Sequence, residues 1–193
     1  MEGTNMRIIT TRSDEYTTHL PAIAPAHEYE IVYATEPPGG PLGYYGPDVY
    51  NDQSVGVRFT PSKTFYLKKI GLWFMNNGAP GVPEITVTLH NDDNNGRRSI
   101  PGGKIFETWK FRVSAQGWNP ILEELISKTT PLLEPRTNYW IVAESNAPAR
   151  ENGVWVMAGE GAGFSSTTHN GSWQDGGTGG VPATMVRGIE PVK

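Results

Sequence analysis

Residues 84–90 read EITVTLH, with Ile85, Val87 and Leu89 set between Glu84, Thr86, Thr88 and His90. A strand points successive side chains to opposite faces, so this alternation buries three aliphatic residues on one side of a sheet and leaves four polar ones on the other. A helix would scatter the same residues around its circumference. A chain with such a segment needs partner strands for its backbone and a second layer for its apolar face.

Further segments repeat the pattern. VGVRF (55–59), KIFETWKFRV (104–113), TNYWIVAES (137–145), GVWVMA (153–158) and ATMVRGI (183–189) are each bounded by Gly, Pro, Asn or Asp, and EYEIVYA (28–34) is a weaker candidate. In FYLKKIGLWF, Phe65 and Leu67 share one parity while Ile70, Leu72 and Phe74 share the other, which predicts a bulge or bend at Lys68–Lys69 that keeps both sets in the core. Only NPILEELISK (119–128) resembles a helix, and its length predicts a single turn or an irregular strand. The 23 Gly and 16 Pro interrupt any long helix. The expected fold is all-β, an antiparallel β-sandwich of jelly-roll type with about eight to ten strands.

No internal repeat is visible. The Pro- and Gly-rich run ATEPPGGPLGYYGPD (34–48) marks the expected boundary between an N-terminal extension, residues 1–48, and a sandwich domain, residues 49–193. A net charge of −4 supplies no basic field for phosphate backbones, so nucleic acid is not an expected partner. No apolar run approaches the ~18 residues of a membrane span, and no signal-peptide core is visible, so no membrane insertion is expected. The absence of cysteine removes disulfides, zinc–thiolate sites and thiol nucleophiles.

In order, these elements resemble the bacterial choice-of-anchor domains, in particular the type sometimes labelled R. The resemblance begins near Gln53 and runs through GVRFTPSKTFYLKKIGLWF and EITVTLHNDDNNG. It is strongest in PLLEPRTNYWIVAES, where Leu133, Pro135, Tyr139, Trp140, Ile141 and Val142 fill the pattern, and it ends with NGSWQDGG (170–177) and Ile189. The resemblance implies a β-sandwich module of an exported or cell-surface protein and supplies no catalytic residue. The expected setting is therefore extracellular, and the expected role is non-catalytic.

Three groups of residues are candidates for a site. In HNDDNNGRRSIPGG (90–103), Asn91, Asp93, Asn95 and Gly96 match the early positions of a calcium loop. Position twelve is Gly102 where a bidentate Glu belongs, and Arg97 and Arg98 oppose a cation. A hairpin turn is the favoured reading, and no metal or other cofactor is expected. Trp73, Trp140 and Trp155 each lie opposite in parity to an apolar set: Leu72 and Phe74, Tyr139 and Ile141, Val154 and Val156. They form an outward aromatic face for a sugar or a partner protein, or, with the parity reversed, part of the core, or a face covered by the extension or a second subunit. Trp118, Trp173, Tyr44 and Tyr45 sit on polar loops. They are candidates for stacking on a glycan, with plugs for the sandwich ends as the alternative.

Enzymatic constellations are thin. His19, His27, His90 and His169 lack metal-ligand spacing, and GEGAGFSS (159–166) reads as a flexible loop rather than a phosphate cradle. A binding module with carbohydrate as leading ligand is expected. The alternatives are an interaction domain of a surface assembly and, last, a glycan-active enzyme.

Overall fold

The computed structural model describes residues 29–192 apart from 36, 40–42, 77, 79, 95–98, 115–116, 160–162 and 170. His19, His27, Asn95, Gly96, Arg97 and Arg98 lie outside the described residues. Thirteen strands are described: β1 Glu30–Ala34, β2 Asp48–Val49, β3 Val55–Phe59, β4 Phe65–Met75, β5 Glu84–Asn94, β6 Ser99–Arg112, β7 Ile121–Ile126, β8 Leu132–Leu133, β9 Tyr139–Ser145, β10 Gly153–Trp155, β11 Gly163–His169, β12 Ser172–Gly179 and β13 Thr184–Ile189. All strand pairs are antiparallel. No described helix is long and apolar enough to cross a membrane.

The strands form two sheets. One runs β12-β11-β3-β9-β5-β6. The other is organised around β4, the long central strand, which pairs with β13 and then β10 along one edge and with β8 and then β7 along the other. The chain passes repeatedly between the sheets, and Val55, Val57, Ile85, Val87, Leu89 and Ile141 of the first meet Phe65, Leu67, Ile70, Leu72 and Phe74 of the second in one core. The alternation of EITVTLH thus reports burial as expected, and the all-β antiparallel sandwich is present.

The change of parity along β4 has the expected cause. Arg187 of β13 aligns with Lys69 and the next residue, Gly188, aligns with Leu67, so Lys68 is the extra residue of a bulge. Phe65 and Leu67 on one side of it, and Ile70, Leu72 and Phe74 on the other, all reach the core.

Several expectations change. NPILEELISK contains β7, a regular strand whose alternate residues meet β4. Of GEGAGFSS, expected to be a loop, residues 163–166 belong to β11, and Trp173, expected on a loop, lies in β12; the two strands form a hairpin. β1 falls within the expected extension, yet it pairs with β13, and Val32 belongs to the core.

Glycine decides one close approach. A Cβ on Gly46 would overlap the carbonyl of Trp155 and lie 2.9 Å from Val156 Cα. This allows the chain before β2 to run against β10, with Met157 N–H donating to Tyr45 O at 2.7 Å and Trp155 N–H to Pro47 O at 3.2 Å.

Candidate functional site

The three strand tryptophans meet three different fates. Trp155 is fully buried in the inter-sheet core, stacked on Phe74 at 5.7 Å between centroids, with its indole N–H donating to Ala183 O at 3.0 Å. Of the alternatives for Trp155 the core placement is the one observed: Val154 and Val156 are the outer residues and form a second cluster with Met75. Because β10 is apolar on both faces, its pattern holds no sign of which face points inward. Trp73 has the expected outward parity and packs half-buried against that second cluster.

Trp140 also lies on an outer face, that of the six-stranded sheet, since its neighbours Tyr139 and Ile141 belong to the core. It is 0% exposed, so it is no open platform. Its indole N–H donates to Asp92 Oδ1 at 2.6 Å, and Ser99 Oγ donates to the same oxygen. Beside it, His90 Nδ1 lies 2.7 Å from Gly102 O and Nε2 lies 2.7 Å from Thr88 Oγ1. A carbonyl only accepts, so Nδ1 carries a proton, and in the neutral ring Nε2 accepts from the threonine hydroxyl.

The same network extends into the described part of the calcium-like segment. Asn91 Oδ1 accepts the Lys104 N–H at 2.8 Å and packs over Gly102, where a Cβ would come within 2.5 Å of it. The hairpin pairing continues to Asn94 opposite Ser99. Asn91 and Asp92 therefore serve the β5–β6 hairpin as internal acceptors. Among the described residues no group of three His, Cys, Asp or Glu side chains could hold a metal ion.

The loop aromatics are not all brought together. Tyr44 and Tyr45 are exposed, the latter 55%, and flank β10 on the β4-centred sheet. Trp118 is 61% exposed, and its loop is tied by Gly117 N–H to Asn76 Oδ1 at 3.0 Å. Asn76 also holds the β4–β5 loop, accepting from Gly78 N–H at 3.2 Å. Trp173 is half-buried on the outer face of the six-stranded sheet, where its indole closes with that of Trp140 over Gly56. A Cβ there would meet Trp140 Cε3 at 3.2 Å and Trp173 Cζ3 at 3.4 Å.

Trp173 heads a row of side chains across that face. It aligns with Thr168, whose Oγ1 accepts the Ser54 N–H at 2.9 Å, and Ser54 Oγ donates to Glu144 Oε1 at 3.4 Å. Glu144 aligns with Thr86 of β5, and Thr86 with Lys110 of β6. Glu144 and Thr86 then form part of the wall of an open cleft of ≈ 520 Å³, completed by Pro83, Glu84, Asn146 and Glu151 among others. The Asn51 N–H bonds Ala147 O at 2.9 Å, joining the β2–β3 and β9–β10 loops at this end. Lys110 Nζ stands 2.9 Å from Glu84 Oε1, and this hydrogen bond with its charge holds the Glu84 carboxyl below the usual glutamate range.

The outer face of this sheet thus carries a half-buried indole on β12 and, three to four strands away, oxygen acceptors and an amide at the cleft. Sequence reasoning selected Trp173 and Trp118 and missed Glu84, Thr86, Glu144 and Asn146, because only strand register places them beside Ser54 and Thr168. No protein-family model and no curated protein sequence matches this chain.

Proposed function

We propose that this protein is a non-catalytic glycan-binding module, exported or displayed at a bacterial cell surface, as the resemblance to choice-of-anchor domains implies. The observation that carries the reading is the row from Trp173 to Glu144, which opens into the cleft at Thr86. A pyranose presents a face of C–H groups and a rim of hydroxyls. The first stacks on an indole, and the second requires acceptors and donors around the ring. Trp173 supplies the face for one residue of an extended oligosaccharide, while Glu144 and Thr86, three and four strands away across the sheet, and Asn146 supply polar groups for its further residues.

Glu84, ionised at neutral pH like any exposed glutamate and paired with Lys110, is an acceptor, which suits hydroxyl recognition. Trp118 stands at the same end of the sandwich, on a loop tied through Asn76 to the β4–β5 loop that carries Pro83. Tyr44 and Tyr45, on the flank of the other sheet, have no part in this site.

The test is titration of intrinsic tryptophan fluorescence with a panel of soluble oligosaccharides. A saturable change is expected, weakened about ten-fold or more in Trp173→Ala, which corresponds to ~1.4 kcal/mol. Glu144→Gln is expected to weaken it less. If no sugar of the panel gives saturation, or if Trp173→Ala binds as tightly as the parent, the reading is wrong.

A further inference from the structure

β7 is an edge strand. It pairs with β4 on one side, and among the described residues no strand pairs with its other side. The direction of its free backbone groups follows from two bonds. Ser127 N–H donates to Lys68 O at 2.9 Å, towards β4, whereas Ile126 O accepts Trp109 Nε1 at 2.9 Å from the opposite side. Backbone groups of successive strand residues point alternately, so the N–H and C=O of Leu122 and Glu124 point away from β4.

Such edges are ordinarily blunted by charged side chains, above all lysine or a charge that points inward, by proline or by a bulge. The six residues ILEELI carry no lysine, proline or bulge; their charges are two glutamates, which guard the edge against acidic strands and leave it open to a basic one, and Leu122 and Ile126 are 37% and 55% exposed. Glu124 bonds Lys69 at 2.6 Å. Glu123 differs. It aligns with Leu72, whose side chain enters the core, so it projects towards the gap between the sheets, half-buried. Among the described residues no lysine or arginine meets it. Burial pushes its carboxyl up.

We propose that the free edge of β7 accepts one further strand: an extended segment of a second polypeptide with Lys or Arg opposite Glu123 and apolar or β-branched residues on either side. Leu122 and Glu124 supply the main-chain bonds of the added ladder. Glu123 then falls at a position without main-chain bonds, where facing Cα atoms approach to about 4.5 Å and a cation reaches the carboxylate directly. Exposed Leu122 and Ile126 take the apolar residues of the incoming strand on the outer face.

A second copy of this chain is a poor occupant. Outward backbone groups lie at even-numbered residues, so a two-fold antiparallel pairing centred on the strand sets Glu123 against Glu123 or Glu124 against Glu124. Like charges directly opposite are unfavourable. The charge pattern that repels a copy attracts a basic strand.

The experiment uses two synthetic peptides with blocked ends, Thr-Ile-Arg-Ile-Thr and Thr-Ile-Glu-Ile-Thr, titrated into the full chain by heteronuclear NMR. The basic peptide is expected to bind saturably, with amide shifts centred on residues 121–126, and the acidic peptide at least ten-fold more weakly. Glu123→Gln should weaken the basic peptide about five-fold. Glu124→Pro removes an outward N–H together with the exposed Lys69 bond, at a position where an edge strand tolerates proline, and should abolish binding, whereas Glu124→Ala, which loses only the side chain, should retain it. Glu123→Lys should reverse the preference towards the acidic peptide, a result that mere loss of folding would not give. Equal binding of the two peptides, unchanged binding by Glu124→Pro, no preference reversal in Glu123→Lys, or a β7-mediated dimer that neither peptide displaces would each overturn the proposal.

Discussion

Glu107 allows the sharpest test of how the two sheets are locked together. It sits on β6 with a relative exposure of 7%, and its carboxylate gathers the turn after β7. Oε2 accepts Ser127 Oγ at 2.6 Å and Thr129 Oγ1 at 2.9 Å, while Oε1 accepts the N–H of Lys128 at 2.6 Å and of Thr129 at 3.4 Å. Those donors also hold Thr130 at φ 45°, a left-handed conformation unfavourable for a β-branched residue, with its N–H on Ser127 Oγ at 2.9 Å. Glu107→Ala removes every acceptor at once. A buried donor left unpaired costs about 1–3 kcal/mol, so Ser127 and the less accessible of the turn amides together imply a loss of ~3–5 kcal/mol. Glu107→Gln keeps Oε1 for the amides, and the two hydroxyls rotate to accept from its new N–H₂. Only the charge assistance is lost, about 1–2 kcal/mol.

The pH dependence has a definite sign. Burial raises the Glu107 carboxyl, but the bonds from Ser127, Lys128 and Thr129 outweigh it, so the net shift is downward. A carboxyl depressed on folding stabilises the fold above its unfolded value, and that contribution disappears as the pH falls through the folded value. Urea midpoints measured from pH 7 down to pH 3 should therefore fall more steeply for the parent than for Glu107→Gln, the two converging in acid. The reasoning fails if Glu107→Gln is as damaging as Glu107→Ala, which would make the loss one of charge and not of donors left unpaired, or if both chains lose stability in parallel on acidification.

Two further predictions concern other parts of the structure. Gly46→Ala places a methyl against the Trp155 carbonyl, a backbone atom that cannot yield without breaking the register of β10, so a loss of about 3 kcal/mol or more in urea unfolding is expected. Trp140→Phe keeps most of the buried volume but leaves Asp92 with Ser99 alone on Oδ1. A loss of ~1–3 kcal/mol is expected, and a negligible change would show that the Asp92 bond contributes little.

The layer architecture was legible in the residues because burial on one face writes period two into a strand. EITVTLH shows it outright, and the parity change across Lys68–Lys69 revealed a bulge before any coordinate was known. The signal failed where a strand is apolar on both faces, as in β10, or polar and glycine-rich, as in GFSSTTH and SWQDGGTG. There, main-chain pairing of β11 with β3 and of β12 with β11 makes the strands, and no alternation of apolar and polar residues marks them. Loop tryptophans could be named as candidates, since Trp among Gly, Asn and Gln is conspicuous. Their partners could not be named, because Ser54, Glu144 and Thr168 are separated by up to 114 positions along the chain.

By itself the sequence determined two β layers, the inward sets of β4 and β5, and the absence of any long apolar helix, because these depend on neighbours along one strand. Tertiary structure alone decided that Trp155 is core, that Trp140 is sealed against Asp92, and that Trp173 shares a face with Glu144. Each of those outcomes depends on which strands pair and in what register, and register is set by contacts between residues far apart in the chain.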